Sequence, residues 1–136
     1  MSSASQYMRF VATASLAKAR KKVPGLKWVM GMLLNADTGE ACIQGIKDLE
    51  ICMTVEKIGD VGYHEGMESL PDVLSGWDAE VLTDCPIMGC EEETPSTAES
   101  AVAHINDDHA HSLAEAKRLL LQWAEREIKV GDTGQL

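Results

Sequence analysis

Cys85-Pro86-Ile87-Met88-Gly89-Cys90, followed by His104-Ile105-Asn106-Asp107-Asp108-His109, is the stretch whose reading decides the fold. Two cysteines bracket a Pro/Gly turn. A helix-length spacer follows, then two histidines. The spacing Cys-x4-Cys-x13-His-x4-His is a soft-ligand set in zinc order. Pro86 and Gly89 supply the tight turn that lets both thiols reach one ion. A helix starting after Thr94-Pro95-Ser96 brings in His104. In an unbroken α-helix a residue five positions on lies about 140° round the axis, so His109 would face away from His104. Asn106-Asp107-Asp108 is therefore expected to end the helix before His109. His111 is a rival fourth ligand, and a Ser112 cap argues against the continuous helix it would need. The expected ligands are Cys85, Cys90, His104 and His109. The expected cofactor is a structural Zn2+, because four filled positions leave none for water or substrate.

Outward from this stretch the chain reads as mainly α. The expectation is a helical domain with a small C-terminal two-Cys, two-His zinc module packed on the last helix. Residues 1–82 form the helical N-terminal region, 83–130 the module with its helix, and 131–136 a loose tail. Helical periodicity covers 4–22, with rows through Met8, Val11, Ser15 and Lys18 and through Phe10, Ala14 and Ala17. A short helix is expected over 26–34 and a longer one over 38–58, opened by an Asp37/Glu40 capping box. Gly45 inside it marks close packing against another helix. Residues 62–75 hold short helical pieces, and 79–82 is an extended piece leading to Cys85. Ser96/Glu99 and Ser112/Glu115 are further capping boxes. The last helix presents Leu113, Ala116, Leu120, Trp123 and Glu127 or Ile128, and Gly131 closes it. Cys42 and Cys52 read as core cysteines, and His64 as a surface residue.

Charge divides the 136-residue chain, whose net charge is −10. No Asp or Glu occurs from Met1 to Ala36, where Arg9, Lys18, Arg20, Lys21, Lys22 and Lys27 are basic. No Lys or Arg occurs from Ile58 to Ala116, which carries fourteen carboxylates, Glu91-Glu92-Glu93 among them. An acidic body repels phosphate backbones, so nucleic acid is expected only at the basic N-terminal segment. That segment equally suits a protein partner, or the acidic face of a second copy. The plainer alternative is two solvated faces of one domain. The longest uncharged apolar stretch, Trp28 to Leu34, is too short to span a bilayer, and the N-terminus has no apolar run of signal length. A soluble intracellular protein without membrane partners is expected, its cysteines as thiols or metal ligands. No phosphate loop, nucleophile elbow or open metal site points to an enzyme.

Residues 85–109 look like the two-Cys, two-His zinc finger. The usual aromatic and leucine of that finger give way to Glu91-Glu92-Glu93 and an Ala-rich helix. The basic base-reading positions are absent, so the resemblance does not imply DNA reading. Residues 85–124 are more similar to small phage and prophage zinc-finger-like proteins. There a Cys turn precedes a His-(Leu/Ile)-Asn-Asp-x-x-His segment, a Ser/Thr cap and a helix ending near Trp. This chain matches with His104-Ile105-Asn106-Asp107-Asp108-His109, Ser112 and Trp123, and has His111 where those proteins commonly have Trp. The resemblance implies a phage-encoded chain in the host cytoplasm or the virion. It implies a structural or interaction role, with a capsid-associated or minor virion component as the concrete form. Gly39-Glu40-Ala41-Cys42-Ile43-Gln44-Gly45 faintly resembles a Gly-x-x-Cys-x-x-Gly helix start in bacterial and phage domains. A nucleic-acid-associated regulator and an acidic host-directed inhibitor are the alternatives.

Overall fold

A computed structural model describes residues 3–35, 37–51 and 79–134. About half of these are helical, and a small three-stranded sheet joins the helices. The first helix, α1 (Ser3–Val11), buries Ala4, Tyr7, Met8 and Val11 at helical spacing. It stops short of the expected 4–22 span. Thr13 donates from Oγ1 to the Phe10 carbonyl at 2.6 Å, and Ser15 Oγ caps α2 (Leu16–Ala19) by accepting from Lys18 N–H at 3.3 Å. Hydroxyls competing for backbone partners break the helix. The break is then held by Glu50, whose carboxylate accepts from Ser15 N–H at 2.8 Å.

The short helix expected over 26–34 is instead extended chain. Strands β1 (Lys27–Trp28), β2 (Leu34–Asn35) and β3 (Glu40–Ala41) form a sheet in the order β1-β3-β2. β1 is parallel and β2 antiparallel to β3. Gly25 and Gly31 sit at φ of 79° and 75°, a left-handed conformation that disrupts helix on both sides of Trp28. The Asp37/Glu40 capping box is also displaced. Asn35 Oδ1 accepts from the N–H groups of Asp37 and Thr38, making the turn between β2 and β3.

Helix α3 (Ile43–Glu50) therefore starts five residues later than expected, with Cys42 at its N-cap. Gly45 does mark a close approach, but to the bend just ahead of β2 rather than to another helix: a Cβ there would lie 1.9 Å from the Leu33 carbonyl oxygen. Cys42 is half-buried rather than wholly interior, and burial pushes its thiol up to about 11, which leaves it inert. The remainder of the expected 38–58 helix, with Cys52, lies outside the described residues. So do the 62–75 pieces and His64.

The extended piece near Glu80 is present as an antiparallel bridge to Thr97. Helix α4 (Ala98–His104) is capped by Thr97, whose Oγ1 accepts from Ser100 N–H at 3.2 Å. The cap is one residue beyond the expected Ser96, which frees Glu99 from a capping role. A π-helical turn (Ile105–His109) follows, then α5 (Leu113–Gly134). Ser112 Oγ accepts from Glu115 N–H at 3.1 Å, as the third capping box requires, and the Glu115 carboxylate accepts from His111 N–H at 2.9 Å. Gly131 does not end α5, which continues to Gly134, so the expected loose tail begins helical.

α5 buries Ala116, Leu119, Leu120, Trp123, Ala124 and Glu127. α1 packs chiefly on α5 and also meets α4. Buried residues from the N-terminal elements and from the Cys/His region belong to one cluster.

A polar thread runs through this core. Tyr7 Oη donates to Gln44 Oε1, and Gln44 Nε2 donates to Asp48 Oδ1 at 2.9 Å. Asp48 is 1% exposed, and burial pushes its carboxyl from 3.8 up to about 7, against a smaller opposing effect of the Gln44 bond. The folded chain thus holds a proton that the unfolded chain releases. This contribution favours folding fully below pH 3.8 and is lost as pH rises through about 7. Asp48→Asn should gain stability over the parent as pH rises through that window, with an upper bound of about 4 kcal/mol. Urea unfolding of both proteins across the pH range measures this, and a pH-independent difference would contradict it.

Candidate metal centre

The Cys85 turn is anchored before it starts. Leu82 N–H donates to the buried Glu127 carboxylate at 2.9 Å, and Thr83 Oγ1 donates to the same group. Trp123 Nε1 donates to Thr83 Oγ1 at 3.0 Å. Glu127 and Trp123 lie one helical turn apart on α5, so this network fixes the chain entering Cys85 against the helix. Gly89 sits at φ 85°, and Cys90 N–H donates to the Ile87 carbonyl at 3.2 Å, closing the turn. Met88 at its tip is 98% exposed.

On the other side, Asn106-Asp107-Asp108 does not end the helix as expected. The backbone widens instead into a π-helical turn, closed by Ala110 N–H donating to the Ile105 carbonyl at 2.9 Å. An i→i+5 bond brings residues five apart into register, which an α-helical turn cannot do. His104 and His109 therefore meet: their rings are 4.7 Å apart at 85°, and their Nε2 atoms are 3.1 Å apart.

Asn106 holds the turn in place. It is fully buried and its amide is saturated. Oδ1 accepts from Trp28 Nε1 at 2.6 Å and from Ile43 N–H at 3.0 Å. Nδ2 donates to the Val29 carbonyl at 3.1 Å and to Asp107 Oδ1 at 2.9 Å. Asp107 Oδ1 also accepts from Gly31 N–H at 2.6 Å. The sheet and the start of α3 thus grip the π-turn from one side.

All four expected ligands converge: the donor atoms of Cys85, Cys90, His104 and His109 lie within 4.8 Å of one another. Cys85 Sγ is 3.6 Å from His109 Nε2, and Cys90 Sγ is 3.5 Å from His104 Nε2. A tetrahedral zinc-sized ion, about 2.3 Å from sulfur and about 2.0–2.1 Å from nitrogen, would set an S–N pair about 3.5 Å apart and an N–N pair about 3.3 Å apart. The sulfur–nitrogen distances match that figure, and the nitrogen pair is only slightly closer. The arrangement can hold one tetrahedral metal ion. His111 is exposed and outside the group, so His109 takes the position for which the two competed.

Two features tune the donors. His104 Nδ1 pairs with Asp108 Oδ2 at 2.9 Å, which leaves Nε2 as the metal-facing nitrogen. Burial, then the neighbouring His104, lowers His109, keeping a neutral imidazole ready to bind. Burial, then the nearby Cys90, raises the Cys85 thiol. A metal must displace that thiol proton, so affinity falls with decreasing pH. Sequence reasoning missed Asp108 and Asn106, which read as helix-stopping polar residues. The Asp at i+4 from His104 was a usable signal, since i,i+4 side chains meet on a helix.

A scan against protein-family models, a search of curated proteins and a search of solved structures each found no match. Among the described residues no helix is long and apolar enough to cross a membrane.

Asp108→Ala should weaken metal binding about 10–100-fold, the usual cost of losing the partner that orients a ligating histidine. Competition against a chromogenic chelator measures this. An unchanged affinity would reduce Asp108 to a surface carboxylate.

Proposed function

We propose that the protein is a non-enzymatic interaction protein held together by one structural zinc ion. The observation that carries this reading is the closed set of four donors. Around one ion, two thiols and two imidazoles would fill every corner of a tetrahedron, leaving none for a catalytic water or a substrate. Thiolate with imidazole selects zinc over magnesium or calcium, which take oxygen ligands. Such an ion contributes on the order of 10 kcal/mol to folding, much for a module whose helix buries mainly Ala98, Ala101, Val102 and Ile105.

The surface supplies the interaction. Lys18, Arg20, Lys21, Lys22 and Lys27 are exposed around α2 and β1, and Glu91, Glu92 and Glu93 are exposed after the Cys turn. Exposed segments of opposite charge in one chain suit docking to a neighbouring copy or to a protein partner of complementary charge. The resemblance to small phage and prophage proteins makes a virion component the concrete version, capsid-associated or minor structural. The exposed basic segment also favours a second reading, a regulator that contacts nucleic acid through those residues.

Sedimentation of the zinc-loaded chain at low and high salt tests the choice. Association at low salt that is reversed at high salt and lost in Lys21→Glu/Lys22→Glu is expected. A strict monomer at low salt contradicts self-docking, and a salt-sensitive shift of duplex DNA by that monomer transfers the basic segment to the nucleic-acid reading.

A further inference from the structure

The four donors of the metal centre are not equally sheltered. His104 is 8% exposed, with the Trp123 ring edge-on at 6.2 Å and Asp108 on its other nitrogen. Cys85 and Cys90 are only partly buried, on a turn whose tip, Met88, is open to solvent. The sulfurs are therefore more accessible than the His104 imidazole. Cys42 differs from both. It stands at the N-cap of α3, outside the group of four, and burial holds it as a thiol.

The two sulfurs are also close to each other. They lie within 4.8 Å, and a disulfide needs about 2.05 Å. The turn can close that gap. Thr94 Oγ1 donates to the Asp84 carboxylate, which ties together the segments flanking the turn. Cys85 and Ile87 rest against the core, whereas Cys90 follows Gly89, where an added Cβ would meet nothing within 4 Å. The Cys90 end thus has room to swing toward Cys85.

Metal ligation makes both sulfurs thiolates, the form that attacks a peroxide. We propose that Cys85 and Cys90 are a hydroperoxide-sensitive pair, oxidised to an internal disulfide that dismantles the metal centre. The loss of metal rests on the zinc site proposed above; the pairing of the two sulfurs does not. In the first step one thiolate attacks hydrogen peroxide. A sulfur–oxygen bond forms, the oxygen–oxygen bond breaks and hydroxide leaves, giving a sulfenic acid. The second thiolate then attacks that sulfur. The sulfur–sulfur bond forms, the sulfur–oxygen bond breaks and a second hydroxide leaves. Two electrons pass from the two sulfurs to the peroxide. His104 and His109 are left as the remaining donors, too few for a structural zinc site. The π-turn keeps its bonds to Asn106 and loses the common point of its two histidines.

The test uses the full, zinc-loaded chain carrying Cys42→Ser/Cys52→Ser, in which Cys85 and Cys90 are the remaining thiols. Serine is a favoured N-cap, so Cys42→Ser suits α3. Hydrogen peroxide is added stepwise. A chromogenic chelator reads released zinc, and mass spectrometry reads the linkage. Release of one zinc per peroxide consumed is expected, together with a Cys85–Cys90 disulfide and rebinding of zinc after dithiothreitol. Cys90→Ser should instead leave a sulfenic acid on Cys85 that dimedone traps. If Cys90→Ser fails to fold, the chain with the intact pair decides alone. Zinc retained after the disulfide has formed overturns the proposal. So does a sulfinic acid or a link between chains in place of the internal disulfide. A chain that holds no zinc at the outset contradicts the zinc reading instead, and peroxide treatment of that metal-free chain still decides the pairing: an internal disulfide upholds it and its absence overturns it.

Discussion

The meeting of His104 and His109 is the contact on which the rest of this structure depends. Five residues separate them, and ordinary helical winding would turn one away from the other. The π-turn removes that angular error by accommodating one extra residue in the ring closed by Ala110 and Ile105. A π-turn is rare because it is locally unfavourable, so something must hold it. Two things do. A metal ion held by the four donors would draw the two imidazoles to a common point from outside, and Asn106 pins the turn from inside with both ends of its amide engaged.

This arrangement links distant parts of the chain. Asn106 joins the π-turn to Trp28 in β1 and to the first residue of α3. Glu127 and Trp123 join α5 to Leu82 and Thr83, just ahead of the Cys turn. The metal module is therefore braced on both sides by buried polar groups with satisfied partners. Removing one partner of such a bond leaves the other buried and unpaired, at about 1–3 kcal/mol each. The small sheet looks peripheral, yet Trp28 and Val29 supply two of the partners that fix the ligand turn.

The convergence of Cys85, Cys90, His104 and His109 was legible in the sequence because thiols and imidazoles at chelating intervals have few other uses in combination. The way His109 reaches His104 and the two thiols was not legible. Asn106-Asp107-Asp108 resembles a helix stop in isolation, and only contact with residues near 28 and 43 reveals Asn106 as an interior residue. The same limit explains residues 26–34. Their apolar spacing fits a helix, but pairing with Glu40 and Ala41 and the positive φ of Gly31 make them extended. Caps were found to within a residue or so at Thr97 and Ser112, because capping chemistry is local. Gly45 announced a close approach, though not which element would make it. The buried carboxyl of Asp48 gave no sign, since a charged residue on a helix normally reads as solvent-facing, whereas Glu127 already fell on the apolar face of the last helix with Leu120 and Trp123.

Function follows from what the centre leaves unused. Under the proposed function, a tetrahedron closed by four protein donors would offer no open position to a substrate, and recognition would fall to exposed charge and to surfaces away from the site. The account stands or falls on the coordination itself. Zinc K-edge X-ray absorption on the purified, metal-loaded chain tests it most directly. The account predicts one zinc per chain with two sulfur ligands at about 2.3 Å and two nitrogen ligands at about 2.0–2.1 Å. A shell containing oxygen in place of a sulfur or an imidazole, or a chain that folds with no zinc bound, would contradict it.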